Sequence, residues 1–308
     1  MKTAVTLIFF NRPEKTRKCF DAIREAKPPS LVLFSDGPRP DRPGEKEKIL
    51  ALREEIRSSV DWECEVVELF PDSNLGCGRG PAHAITETFA RFEEAIILED
   101  DCIAHPSFFV FCEELLERFR DDKRVMSISG QRYMGVPQRR DADYFFSRYH
   151  YTCGWATWRR AWKHFDPHIS AFEAALGEDW LRDVFDWPKM FRIWRRRFEW
   201  VRDFRDPSIW DFQWYFACFL NGGLSVSPHR NLVENIGFDH EATHITDTNR
   251  FPVAPMEGMT LPVRHPGFVL RDRKADRAIE KIYFNESEIL YYLRSFARWL
   301  LRRGNRKA

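Results

Sequence analysis

Three neighbouring carboxylates, Glu99-Asp100-Asp101, follow the apolar run Ala95-Ile96-Ile97-Leu98. Four apolar residues closed by an acidic triplet read as a buried parallel strand surfacing at its carboxyl end, where open α/β sheets place their ligands. Carboxylates there suit a hard divalent cation, because Mg²⁺ or Mn²⁺ takes oxygen ligands and leaves positions for substrate phosphates. The plain alternative is an exposed acidic turn ahead of the helix from Pro106. Asp36, in Ser35-Asp36-Gly37-Pro38, is either a turn former or an acceptor for a nucleobase imide N–H. Asp211 opens an apolar helix after Ser208-Ile209-Trp210. Its bulky neighbours would desolvate it and bring its pKa towards that of a working base; otherwise it is a helix-end carboxylate favoured by the macrodipole.

Arg79 lies in Asn74-Leu75-Gly76-Cys77-Gly78-Arg79-Gly80, whose glycine spacing matches neither the P-loop nor GxGxxG. A guanidinium at a helix entrance either grips diphosphate oxygens in a bidentate way or is simply solvated. Between Tyr149 and Trp162 aromatic rings gather around Gly154. Such rings stack on sugar C–H faces or pack in a core, and Trp155 is the candidate for stacking.

Positioning these groups requires strands that end together. Val5 to Phe10, Leu31 to Phe34, Val66 to Phe70 and Ala95 to Leu98 are strand-like runs. Between them lie amphipathic stretches marked by Cys19, Ile23 and Ala26, by Ile49, Leu52, Ile56 and Val60, and by Ala82, Ile85, Phe89 and Phe92. Pro13 suits a helix start and Pro28-Pro29 a stop. Three βα units before the triplet describe a parallel, doubly wound nucleotide-binding half, with Asn74 to Gly80 as a glycine-bearing loop. Beyond it, a helix over Pro106 to Phe119, a strand over Val125 to Ser129 and helices within Phe172 to Phe204 are expected.

With 308 residues, 44% hydrophobic and 31% charged, the chain can bury a substantial core. A net charge of +1 argues against a general nucleic-acid binder, and the arginines of Phe191 to Phe198 are offset by interleaved acids. Seven cysteines without a CxxC pair favour reduced thiols over a disulfide frame or zinc site. The first apolar run leads into Asn11-Arg12-Pro13 without a cleavage pattern, and no run has the length of a spanning helix. A cytoplasmic protein, or one at the inner face of the membrane, is expected.

In order, Ser35-Asp36-Gly37, Asn74 to Gly80, Leu98-Glu99-Asp100-Asp101 with Pro106-Ser107-Phe108-Phe109, Cys153-Gly154-Trp155, Trp210-Asp211 and Asn231 to Phe238 resemble a known pattern. From about Thr3 to Thr246 the chain resembles bacterial family 2-like glycosyltransferases of the A-type fold and, more distantly, N-acetylglucosaminyltransferase I. The resemblance implies an α/β, Rossmann-like fold with a mostly parallel central sheet and added C-terminal helices. Residues 1–250 would form the catalytic domain, with 1–130 as the nucleotide-sugar half and 131–250 as the acceptor half. Residues 251–285 would be an irregular connector and 286–308 a basic amphipathic helix.

The resemblance further implies a metal-dependent, inverting transfer from a UDP-sugar to a glycan or lipid-linked glycan. Asp101, with His244, would ligate Mn²⁺ or Mg²⁺. Asp36 would meet the uracil, Asp211 would be the catalytic base with Asp179 as competitor, and Trp155 would touch the acceptor. Asn11, Arg12, Arg79, Glu99 and Asp100 complete the expected donor-binding set. Two other classes compete. A sugar nucleotidyltransferase would call for a basic glycine-rich signature soon after the first strand, and Asn11-Arg12-Pro13 is not one; a noncatalytic carbohydrate-binding protein would not need the acids. The final segment carries six Arg or Lys and no acid between Ile289 and Ala308. A helix there either docks its apolar face on the domain or lies in the headgroup plane of an anionic membrane.

Overall fold

Continuous apolar runs make good strands only where helices cover both faces of a sheet. In the computed structural model, which describes residues 1–138, 141–204, 209–237 and 253–283, the first half has that form. Strands β1 (Ala4–Phe9), β2 (Ser30–Ser35), β3 (Glu65–Leu69) and β4 (Glu94–Glu99) alternate with helices α1 (Pro13–Ala26), α2 (Glu45–Ser58) and α3 (Gly76–Arg91). β1 is buried throughout, while β3, at the sheet edge, carries Glu65 and Glu68, charges that discourage pairing with another chain.

The second half continues with β5 (Cys102–Ala104), α4 (Pro106–Arg118), β6 (Val125–Ser129), β7 (Tyr144–Ser147), β8 (Trp155–Trp158) and α5 (Arg159–Trp162). Then come α6 (Phe172–Gly177), α7 (Trp180–Asp183), α8 (Pro188–Phe204), α9 (Asp211–Leu220), β9 (Leu224–Pro228), β10 (Val233–Asn235) and α10 (Arg273–Tyr283).

The eight-stranded sheet runs β3-β2-β1-β4-β8-β6-β9-β7, and β10 pairs with β5 in a separate two-stranded ribbon. β3, β2, β1 and β4 are mutually parallel; β8 enters antiparallel to both β4 and β6; β9 is parallel to β6, and β7 closes the edge antiparallel to β9. The fold is thus mixed α/β with a mainly parallel central sheet. Among the described residues no helix is long and apolar enough to cross a membrane.

Three expectations change. Asn74 to Gly80 is not a loop throughout, since α3 begins at Gly76. Residues 251–285 are not wholly irregular: α10 lays Ala275 and Ile279 on the body of the protein and is tied there by ion pairs. Trp155 is fully buried instead of facing an acceptor. It sits on a strand flanked on both sides by other strands, under helices that press Trp162, Trp210 and Trp214 against it with ring centroids 6.3, 6.0 and 5.8 Å away. Its ring packs against Trp210, the residue before Asp211. The basic segment 286–308 lies outside the described residues.

Candidate active site

In a doubly wound sheet the crevice for a ligand opens where successive connections leave in opposite directions, outside the carboxyl ends of the strands. Here β1 leads away to β2 and β3, and the chain then returns to the other side of β1 as β4. β1 and β4 run in register, Ile8 beside Glu99, so the residues just after both strands meet at that crevice. They are Asn11 and Arg12 on one side and Asp100 and Asp101 on the other.

Asp100 is buried, accepting from the Phe10 N–H at 3.3 Å and from Arg12 Nη1 at 3.4 Å. The same Arg12 nitrogen lies 3.4 Å from Asp101 Oδ2, so one guanidinium faces two carboxylates separated from it by nearly ninety residues of chain. That charge does not balance the cluster. Burial, followed by repulsion from Asp101, Asp100 and Asp211, pushes the Glu99 carboxyl up to about 8. Burial and then Asp101 push Asp100 up to about 7 against the pull of Arg12. The influence of Asp211 on Glu99 brings the start of α9 to the triplet, whereas Asp179 is exposed at the entrance to α7. Asp211 itself is half-buried behind the buried Trp210.

The excess negative charge makes a sharp prediction for the metal-free protein. Between the ordinary carboxylate range and about 8, the folded chain holds protons that the unfolded chain has released, so stability falls as pH rises through that window. Glu99→Gln removes a charge that burial opposes. It is expected to raise stability at pH 8 by about 1 kcal/mol or more, with little change near pH 5, in urea titrations under a chelator.

Asp101 is the most accessible of these acids facing Arg12, with a fifth of its side chain exposed. The β5–β10 ribbon crosses beside it: Asn235 pairs with Cys102, and the Ile236 N–H donates to the Asp101 carbonyl at 2.8 Å. A Cβ on Gly237 would stand 2.1 Å from Asp101 Oδ2, so the approach of this segment to the carboxylate requires glycine. The described residues contain no group of three or more His, Cys, Asp or Glu able to enclose a metal ion. A partly exposed carboxylate whose acidic neighbours Glu99 and Asp100 add further negative charge nevertheless fits Mg²⁺ or Mn²⁺, which readily completes its shell with water and substrate phosphates. A dication would also relieve the repulsion within the triplet. His244 lies outside the described residues.

Asp36 does something other than meet a base. Its Oδ1 accepts from the N–H groups of Gly37 and Leu75, both at 2.8 Å; its Oδ2 accepts from the Gly76 N–H at 2.8 Å and Asn74 Nδ2 at 3.0 Å. Those four donors fill the roughly four lone-pair sites of a carboxylate, leaving none for a uracil imide. The residue staples the end of β2 to the first turn of α3, and Arg53 reinforces the joint by donating to the Ser35 and Asp36 carbonyls at 2.8 and 3.0 Å. Asp36→Ala should therefore destabilise the protein by about 3 kcal/mol, because it strands buried backbone donors. A shifted urea midpoint, with the chain still folded in dilute buffer, checks this.

Asn11 donates to Glu45 Oε1 at 2.9 Å, which ties the end of β1 to the start of α2 beside the crevice. Arg79 is exposed on the first turn of α3. The sequence reading missed two thiols: Cys102 and Cys153 bring their sulfurs within 3.1 Å, and Cys102 Sγ is 3.4 Å from Asp101 Oδ1. The signal was present, since one cysteine follows the triplet directly and the other opens Cys153-Gly154-Trp155.

No family model matches this chain. No curated protein matches it. Solved structures resemble it at low identity. TarS 1–349 from S. aureus is 11% identical with a TM-score of 0.42, over 76% of this chain and 60% of that one. UDP-glucose pyrophosphorylase complexed with UDP-glucose is 10% identical, with a TM-score of 0.33 over 54% of this chain and 79% of that one. HddC from Yersinia pseudotuberculosis complexed with GMP-PN is also 10% identical, with a TM-score of 0.31 over 51% of this chain and 77% of that one. The chain thus spans less than two thirds of the TarS fragment it resembles.

Proposed function

We propose that this chain is a metal-dependent glycosyltransferase of A-type fold that moves a sugar from a nucleotide-diphosphate donor, a UDP-sugar first of all, to a hydroxyl of a glycan or lipid-linked glycan, with inversion. The observation that carries this reading is the meeting, at one sheet crevice, of Arg12 with Asp100 and Asp101, with Asp211 near enough for its charge to act on Glu99. Asp101 holds the cation, and Arg12, braced from behind by Asp100, offers its guanidinium to the donor diphosphate. A bound Mg²⁺ or Mn²⁺ supplies charge neutralisation for the departing nucleotide.

Asp211 takes the proton from the acceptor hydroxyl as that oxygen attacks the anomeric carbon. Asp211 stands half-buried at the first turn of α9, next to the buried Trp210. A single base on the attacking side suits one displacement, and one displacement inverts the anomeric centre. The competing nucleotidyltransferase reading finds less support, since only Phe10, Asn11 and Arg12 separate β1 from α1, leaving no room for a glycine-rich triphosphate loop.

A panel of nucleotide sugars with and without Mn²⁺ tests the proposal. Release of nucleoside diphosphate is expected from at least one donor, and only with the cation. Formation of pyrophosphate from a nucleoside triphosphate and a sugar 1-phosphate would establish the nucleotidyltransferase instead.

A further inference from the structure

Helix α10 has its charges arranged inside out. On an ordinary surface helix, acids stand on the wet face and pair with bases a turn away. Here Asp276 is fully buried and Glu280 nearly so. Asp276 accepts from Ser147 Oγ at 2.6 Å and pairs with Arg271, and Glu280 accepts from the Tyr149 hydroxyl at 2.7 Å. With both acids turned inward, the outward face presents Arg273, Lys274, Arg277 and Lys281. Arg273 pairs with Asp186, while Lys274, Arg277 and Lys281 form no ion pair among the described residues.

Those three side chains, with Ala278 and Ile282 of the same helix, line an open groove of about 460 Å³ that Gly135 and Pro137 close on the other side. Trp187 stands beside it, 48% exposed, with the Arg277 guanidinium 5.4 Å from its ring centre. The chain leading into the helix exposes Phe268 and Leu270 by 78% and 69%. Unpaired bases beside exposed rings and aliphatic side chains match an interface that is anionic outside and apolar just beneath.

We propose that the outward face of α10, with Trp187, is a docking surface for an anionic phospholipid membrane. Charge complementarity selects lipid headgroups, and the exposed apolar residues select a bilayer over a soluble polyanion, which has no apolar layer for them to enter. The sequence beyond α10 continues the same composition, with six Arg or Lys and no acid between Ile289 and Ala308.

Sedimentation of the full chain with phosphatidylglycerol-containing vesicles and with neutral phosphatidylcholine vesicles tests the surface. Binding to the anionic vesicles alone is expected. Lys274→Gln/Arg277→Gln/Lys281→Gln should weaken it on the order of a hundredfold, from about fivefold for each basic residue near such a surface. Trp187→Ser should weaken it further with no change of charge. All four positions are exposed, so unchanged melting temperatures confirm that the variants are folded. Three results would overturn the proposal: equal sedimentation of the triple variant and the parent, binding that ignores lipid charge, or complete displacement by soluble polyphosphate with no effect of Trp187→Ser.

Discussion

Replacing Asp211 by Asn is expected to slow sugar transfer by about 10²–10⁴-fold, the usual contribution of a positioned general base, while donor affinity stays at the parent value. The asymmetry follows from where the group acts. A base accepts its proton only as the acceptor oxygen attacks, so its loss raises the transition state and leaves the donor complex alone. The amide keeps the shape of the carboxylate, so packing against Trp210 and the first turn of α9 is preserved. Transfer assays and calorimetric titration of the nucleotide on the same preparation separate the two effects. Asp179→Asn should change neither, because Asp179 lies exposed at the start of α7 while the charge of Asp211 is felt by Glu99. If Asp179→Asn stops transfer and Asp211→Asn does not, the base has been misassigned.

The second large effect concerns Asp101. Asp101→Ala should abolish metal-dependent nucleotide binding, because the cation then loses its proposed protein ligand, a partly exposed carboxylate at the crevice. The fold should survive, since the carboxylate is partly exposed and its main structural tie to Ile236 runs through its carbonyl, which alanine retains. Its removal also relieves Glu99 and Asp100 of a repelling neighbour, so the variant should be no less stable than the parent above pH 7. Calorimetry with UDP and Mn²⁺, alongside a urea titration, reads both outcomes. Mn²⁺-dependent binding that persists in a folded Asp101→Ala protein removes Asp101 from the metal site.

Much of the nucleotide-side half was legible in the sequence because there the local signals agree. Ala95 to Leu98 is apolar on both faces and ends in acids, so both the strand and its chemistry show in seven residues. Asp211 at a helix start could be read from Trp210 before it and Asn221-Gly222 after it. Long-range partners left no local trace. Nothing near Arg12 indicates that its guanidinium faces Asp100 and Asp101, and nothing in Ser35-Asp36-Gly37 indicates that Leu75 and Gly76 will use up the carboxylate.

Trp155 misled for a related reason. A ring beside glycine has the same composition on a sugar-binding surface and in a core; only the position of β8 between β4 and β6 decides. Gly154, at φ +61° and packed against Val233, is likewise there for the turn into that strand. α10 could not be read as buried because two of its four inward residues, Asp276 and Glu280, are acids whose partners Ser147 and Tyr149 lie far away in the sequence.

The central claim is that a nucleotide donor binds where β1 and β4 end, and amide hydrogen exchange measured with and without UDP and Mn²⁺ tests it most directly. Protection is expected in the segments covering Phe10 to Pro13 and Glu99 to Ile103 when both ligands are present, and not with UDP alone. It should vanish in Asp101→Ala. Protection confined to other parts of the chain, with those two segments exchanging as in the free protein, would contradict the account.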